Sequence, residues 1–164
     1  MKKNKSKFRV IVAILSAFCI CICFSACTKK SDRETSRQMQ LIDFKTVEKE
    51  YLDYMKKLNW PEGYSLPTKL EGEVAEEFQA GYGETRASML WECAWEKEWL
   101  KSYRTDPDRA KNAIRELEKA PNMLYMSPQK CDDATRRYFK DNLDKAKLGD
   151  PSGFEENIRL NCPE

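Results

Sequence analysis

Residues 38–164 are predicted to fold as an all-α bundle of about five or six helices. Apolar residues there recur three or four positions apart. Asp106-Pro107, Ser127-Pro128 and Asp150-Pro151 each put a capping side chain before a proline, and proline tolerates a first helical turn because its missing N–H would have no intrahelical partner there. No run alternates apolar and polar as a half-buried strand would.

The helices follow in order. Phe44, Val47, Tyr51, Met55 and Leu58 make one stripe of a helix over about 37–58, which Asn59 can end in a left-handed conformation before Pro61. Trp60 to Pro67 reads as a loop. Thr68 and Glu71 then fit a capping box, with Leu70, Val74 and Phe78 as the buried face of a short helix ending near Gly81 and Gly83. From Glu84 to Tyr103, Trp91, Trp95 and Trp99 line one flank with Ala87, Leu90 and Ala94 beside them, and Met89, Cys93 and Leu100 lie on another side. A helix apolar on two sides is packed on both, so this one is central. After Pro107 come Ala110, Ala113, Ile114 and Leu117. After Pro128 come Cys131, Ala134, Tyr138, Phe139, Leu143 and Ala146, stopped by Gly149, and after Pro151 come Phe154 and Ile158.

The first part of the chain has a different character. Met1 to Arg9 is basic, and Val10 to Phe24 is an uncharged apolar run of 15 residues, shorter than the ~20 a spanning helix needs. The run closes on Phe24-Ser25-Ala26-Cys27. This resembles the lipobox of bacterial lipoproteins, with Phe24 where leucine is usual; the resemblance covers these 27 residues only. It implies that 1–26 is a signal peptide, that Cys27 is acylated with diacylglycerol, and that signal peptidase II cuts before it. The rest would then sit at the cell membrane, lipid-anchored on the extracytoplasmic face, with membrane lipid as the first partner. An uncleaved N-terminal anchor and ordinary secretory cleavage are the alternatives, and both also send the chain outward. Thr28 to Arg37 is polar and charged, so 27–37 reads as the lipidated cysteine and a flexible tether before the domain at 38–164.

Composition narrows the chemistry. The 34% charged and 41% hydrophobic fractions suit a folded domain. Five basic residues in the leader turn the net charge of +2 into a formal −3 for the remainder, so nucleic acid is not an expected partner. There is no histidine, which excludes Ser-His-Asp and Cys-His machinery and histidine metal sites. No catalytic residue, cofactor or metal is assigned. After lipidation of Cys27, three cysteines remain outside the leader. Cys131–Cys162 is the favoured disulfide, because a final helix running back would return Cys162 to the start of its neighbour; Cys93–Cys162 is the main rival.

Several side chains invite a functional reading. The three tryptophans could stack on a glycan, although core packing is the simpler account. Glu92 and Glu96 share a face and could be an acid–base pair, but a solvated face beside Lys97 and Lys101 explains them more simply. Glu98 projects between apolar neighbours and, if buried, needs a partner such as Arg86 or Arg104. Glu71, Glu73, Glu76 and Glu77 lack the spacing of a calcium loop. Trp60, Tyr64 and Leu66 could form an exposed anchor for a partner, unless Trp60 folds back over the bundle end. The function expected is that of a non-enzymatic interaction or scaffolding module with an envelope protein or glycan partner. The alternative is a small-ligand or glycan-binding surface lipoprotein using Trp91, Trp95 and Trp99.

Overall fold

The computed structural model describes residues 40–72 and 75–163. The leader 1–26, Cys27, the tether, Glu73 and Val74 lie outside the described residues. The domain is helical, as its periodicity predicts, with one small addition. Its elements are β1 (Leu41–Asp43), α1 (Phe44–Met55), β2 (Glu77–Gln79), α2 (Tyr82–Ser102), α3 (Pro107–Leu117), 3-10 turns at Ala120–Asn122 and Leu124–Met126, α4 (Asp133–Lys147) and α5 (Ser152–Asn161).

Helix α1 starts where the Asp43 carboxylate accepts from Thr46 N at 2.8 Å. It buries Val47, Tyr51 and Met55 at i, i+4 and i+8. Its end differs from expectation: α1 stops at Met55, and no non-glycine residue takes positive φ among the described residues, Asn59 included. The Trp60 indole N–H instead donates to the Met55 carbonyl at 2.8 Å, an acceptor that Leu58 N also reaches at 3.3 Å.

Among the described residues of 68–80 the expected helix does not form. Gly72 adopts φ +81°, and Leu70 N donates to Glu48 on α1 at 3.1 Å. Glu77–Gln79 pairs antiparallel with Leu41–Asp43, with Ile42 opposite Phe78. The apolar spacing there was a true burial signal read in the wrong geometry: Leu70 and Phe78 both pack into the α1 cluster.

Helix α2 is the shared wall of two cores. On one side it meets Val47, Tyr51, Met55, Leu70 and Phe78. On the other, Trp91, Trp95 and Trp99 pack with Ala113 and Leu117 of α3, Phe139 and Leu143 of α4, and Phe154 of α5. The α1–α2 crossing is close because position 83 is glycine. A Cβ there would lie 2.2 Å from the Val47 carbonyl oxygen and 2.7 Å from Tyr51 N. The Glu50 carboxylate receives the N–H groups of Gly81 (3.1 Å) and Gly83 (3.3 Å), placing negative charge at the start of α2 where the helix dipole favours it.

Asp106 caps α3 as expected, accepting from Arg109 N at 3.1 Å. Helix α4 begins later than the Ser127-Pro128 signal indicates: residues 128–131 form turns, and Asp132 is the true cap, accepting from Thr135 N at 2.7 Å. Gly149, at φ +82°, stops α4 as predicted. Asp150 accepts from Ser152 N at 2.9 Å at the start of α5. The Phe154 ring meets Trp99 edge-on, with centroids 5.3 Å apart.

Candidate functional site

Trp91, Trp95 and Trp99 are 1%, 4% and 3% exposed. They are core, and no indole face is free to stack on a sugar. Trp60 also folds back, lying parallel to Tyr64 with centroids 4.9 Å apart and packing against the core. The exposed aromatic anchor considered for Trp60 and Tyr64 is therefore not formed; Leu66 alone of that trio stays largely exposed. Glu98 is buried and does need a cation, but its partner is Arg109, which donates from Nε at 2.7 Å and also contacts it through a terminal guanidinium nitrogen. Arg109 lies at i+11, delivered by the first turn of α3 across the short 103–106 turn.

The disulfide joins Cys93 to Cys162, not Cys131 to Cys162. The ten residues of α5 rise only about 15 Å, too short to retrace the 15-residue α4 to Cys131. Helix α5 also packs on α2, which brings Cys162 to the middle of that helix. Cys131 remains a free thiol, and burial pushes its pKa up, so it is not an activated nucleophile.

Glu92 and Glu96, for which the sequence favours a solvated face over an acid–base pair, instead form a site between α2, the second 3-10 turn and α5. They sit one turn apart on α2, Glu96 only 1% exposed and Glu92 half-buried. Tyr125, from the second 3-10 turn, donates its hydroxyl to Glu92 Oε2 at 2.6 Å. Asn157, from α5, donates Nδ2 to Glu96 Oε2 at 2.8 Å and more distantly to Glu92 Oε1 at 3.5 Å. Asn161 donates to the Asn157 side-chain carbonyl at 2.8 Å, which turns the Asn157 amide nitrogen toward the acids.

These donors are neutral, and among the described residues no lysine or arginine pairs with either acid. Burial consequently raises both. Glu92 is pushed up to about 7 by desolvation, against the hydrogen bonds from Tyr125 and Asn157. Glu96 is pushed up to about 9 by desolvation and then by the charge of Glu92. At neutral pH Glu96 holds its proton while Glu92 is poised between states. The Tyr125 hydroxyl is raised by burial and then by the Glu92 charge, so it stays a donor.

Glu92 opens onto a cleft of about 590 Å³ between α2, the second 3-10 turn, α4 and α5. Tyr125, Met89, Met126, Tyr138 and Phe139 form its apolar walls. Glu96 does not line it. The pair thus presents one carboxylate to a ligand, with the second acid behind it, and does not place two acids across a substrate as a glycoside hydrolase must. A second depression, of about 510 Å³, shares Met89, Cys93 and Asn161 with the first and includes Tyr64, Lys69 and Lys97. Among the described residues no group of three side chains could hold a metal ion.

No protein-family model, curated protein or solved structure matches the chain.

Proposed function

We propose that this chain is a membrane-anchored extracytoplasmic lipoprotein whose helical domain is a non-enzymatic binding module, held to the lipid surface through acylated Cys27. The address rests on the basic start, the apolar run and the Phe24-Ser25-Ala26-Cys27 sequence. A diacylated cysteine supplies the two chains that stable attachment needs. The binding role rests on one observation, the cleft at Glu92: a mostly apolar concavity with two acids, Glu92 and Asp132, on its wall is the form of a recognition site. That favours a small ligand in this cleft over a glycan on the tryptophans, which the core already occupies.

Membrane fractionation and intact mass of the purified protein test the anchor. The wild type should partition with membranes and carry a diacylglycerol-modified Cys27 as its first residue. Cys27→Ala should lose both properties. A membrane-free wild type beginning at Met1 with an unmodified thiol would refute the lipoprotein assignment.

A further inference from the structure

We propose that the cleft at Glu92 takes a small organic cation, an ammonium group carried on an apolar frame. The inference rests on reading this cleft as a binding site, and it is independent of the anchor.

Charge selects the class of ligand. Glu92 lines the cleft, and its hydrogen bonds come from neutral Tyr125 and Asn157. Lys130 also lines the cleft and carries positive charge; its ammonium donates to the Ala80 carbonyl at 3.3 Å and to Gln79 at 3.5 Å, and not to Glu92. The other titratable groups around Glu92 are Glu96 behind it on α2, Tyr125 on the 3-10 turn, Cys131 and Asp132 before α4, and Tyr138 within α4. None of these supplies positive charge, and α5 contributes only the amides Asn157 and Asn161. An anion would meet Glu92 and Asp132, whereas a cation would complete the charge balance of Glu92.

The walls favour an organic cation over a metal ion. Calcium and magnesium want six or more oxygens and zinc wants four N, S or O donors, and the described residues offer no group of three side chains that could hold a metal ion. The aromatic side chains of Tyr125, Tyr138 and Phe139 and the thioether side chains of Met89 and Met126 line the cleft. Alkylated ammonium groups are held by such surfaces. Tyr138 lines the same cleft, and its buried hydroxyl has no hydrogen-bond partner among the described residues, so a ligand N–H or O–H reaching it would satisfy a group that buried structure rarely leaves alone. The cleft exceeds what an ammonium headgroup fills, which leaves room for the apolar part.

The test compares choline with 3,3-dimethylbutan-1-ol, its neutral isostere, by isothermal titration calorimetry on the full chain in non-ionic detergent. Choline should bind at least about tenfold more tightly than the alcohol, the ratio that one favourable charge contact supplies. Glu92→Gln should abolish that preference. In the wild type, choline affinity should rise from about pH 5.5 to about pH 8.5 as Glu92 loses its proton, since choline keeps its charge throughout. That arm stands alone if Glu92→Gln does not fold, as judged by circular dichroism. Equal binding of the two compounds, no choline binding at about 50 mM, or a choline affinity indifferent to pH would each overturn the proposal. None of these outcomes bears on fractionation or on the mass at Cys27.

Discussion

Glu96→Gln isolates what an acid costs when this fold buries it. Glutamine keeps the shape, and its carbonyl oxygen can still accept from Asn157 Nδ2. In the unfolded chain Glu96 has the ordinary value of 4.5 and is ionised at pH 7; in the fold it is pushed up to about 9 and holds its proton. Taking up that proton on folding at pH 7 costs up to about 3 kcal/mol, from the gap between 4.5 and 7 at ~1.4 kcal/mol per pH unit. Glutamine is neutral in both states and avoids the cost. Because the folded value is raised, the contribution of Glu96 to stability is fully present below about pH 4.5 and is lost as pH climbs toward about 9. The variant should match the wild type near pH 4.5 and exceed it by up to about 3 kcal/mol at pH 7. Guanidinium denaturation followed by tryptophan fluorescence at several pH values measures this directly, since three of the four tryptophans are core. If Glu96→Gln is destabilised by the same amount at every pH, Glu96 is ionised in the folded protein and the account of the pair is wrong.

Two further outcomes test the packing. Reducing Cys93–Cys162, which spans 69 residues, should cost about 4 kcal/mol by the chain-entropy model; peptide mapping after alkylation should find Cys131 labelled and the other two linked, and a Cys131–Cys162 peptide would contradict the described fold. Gly83→Ala should destabilise by about 3 kcal/mol or more, because the new methyl group meets helix backbone that cannot turn aside; a thermal midpoint unchanged from wild type would mean that α1 and α2 do not cross there.

Much of the helical frame was legible locally. The apolar spacing in α1, the Asp106-Pro107 start, the Gly149 stop and the burial on two sides of α2 all depend on residues a few positions apart. What escaped depends on distant partners. Leu70 and Phe78 carry a spacing that suits either a helix or an extended segment pressed on α1, and only the pairing with Leu41–Asp43 decides it. Glu92 and Glu96, with Lys97 and Lys101 nearby in the chain, have the local appearance of a solvated face. Glu96 is instead buried against Asn157, 61 residues further on, with Glu92 half-buried beside it. The signal that could have found them was the breadth of burial already read in α2: a helix covered on two sides has little face left for solvated acids. The disulfide was misjudged for a related reason, since helix lengths, and not their order, decide which cysteine Cys162 reaches.

The shared-wall design makes the two sides of α2 mechanically unequal. The side built from α3, α4 and α5 is riveted by a covalent bond. The side built from α1 and the β1–β2 ribbon is held by packing and by side-chain ties such as Glu48 to Leu70 and Glu50 to Gly81. Any pull transmitted along the polypeptide from its N-terminal direction reaches β1 and α1 before anything else. Such a load would peel that flap from α2 while the bolted half, with its acid pair and cleft, kept its shape.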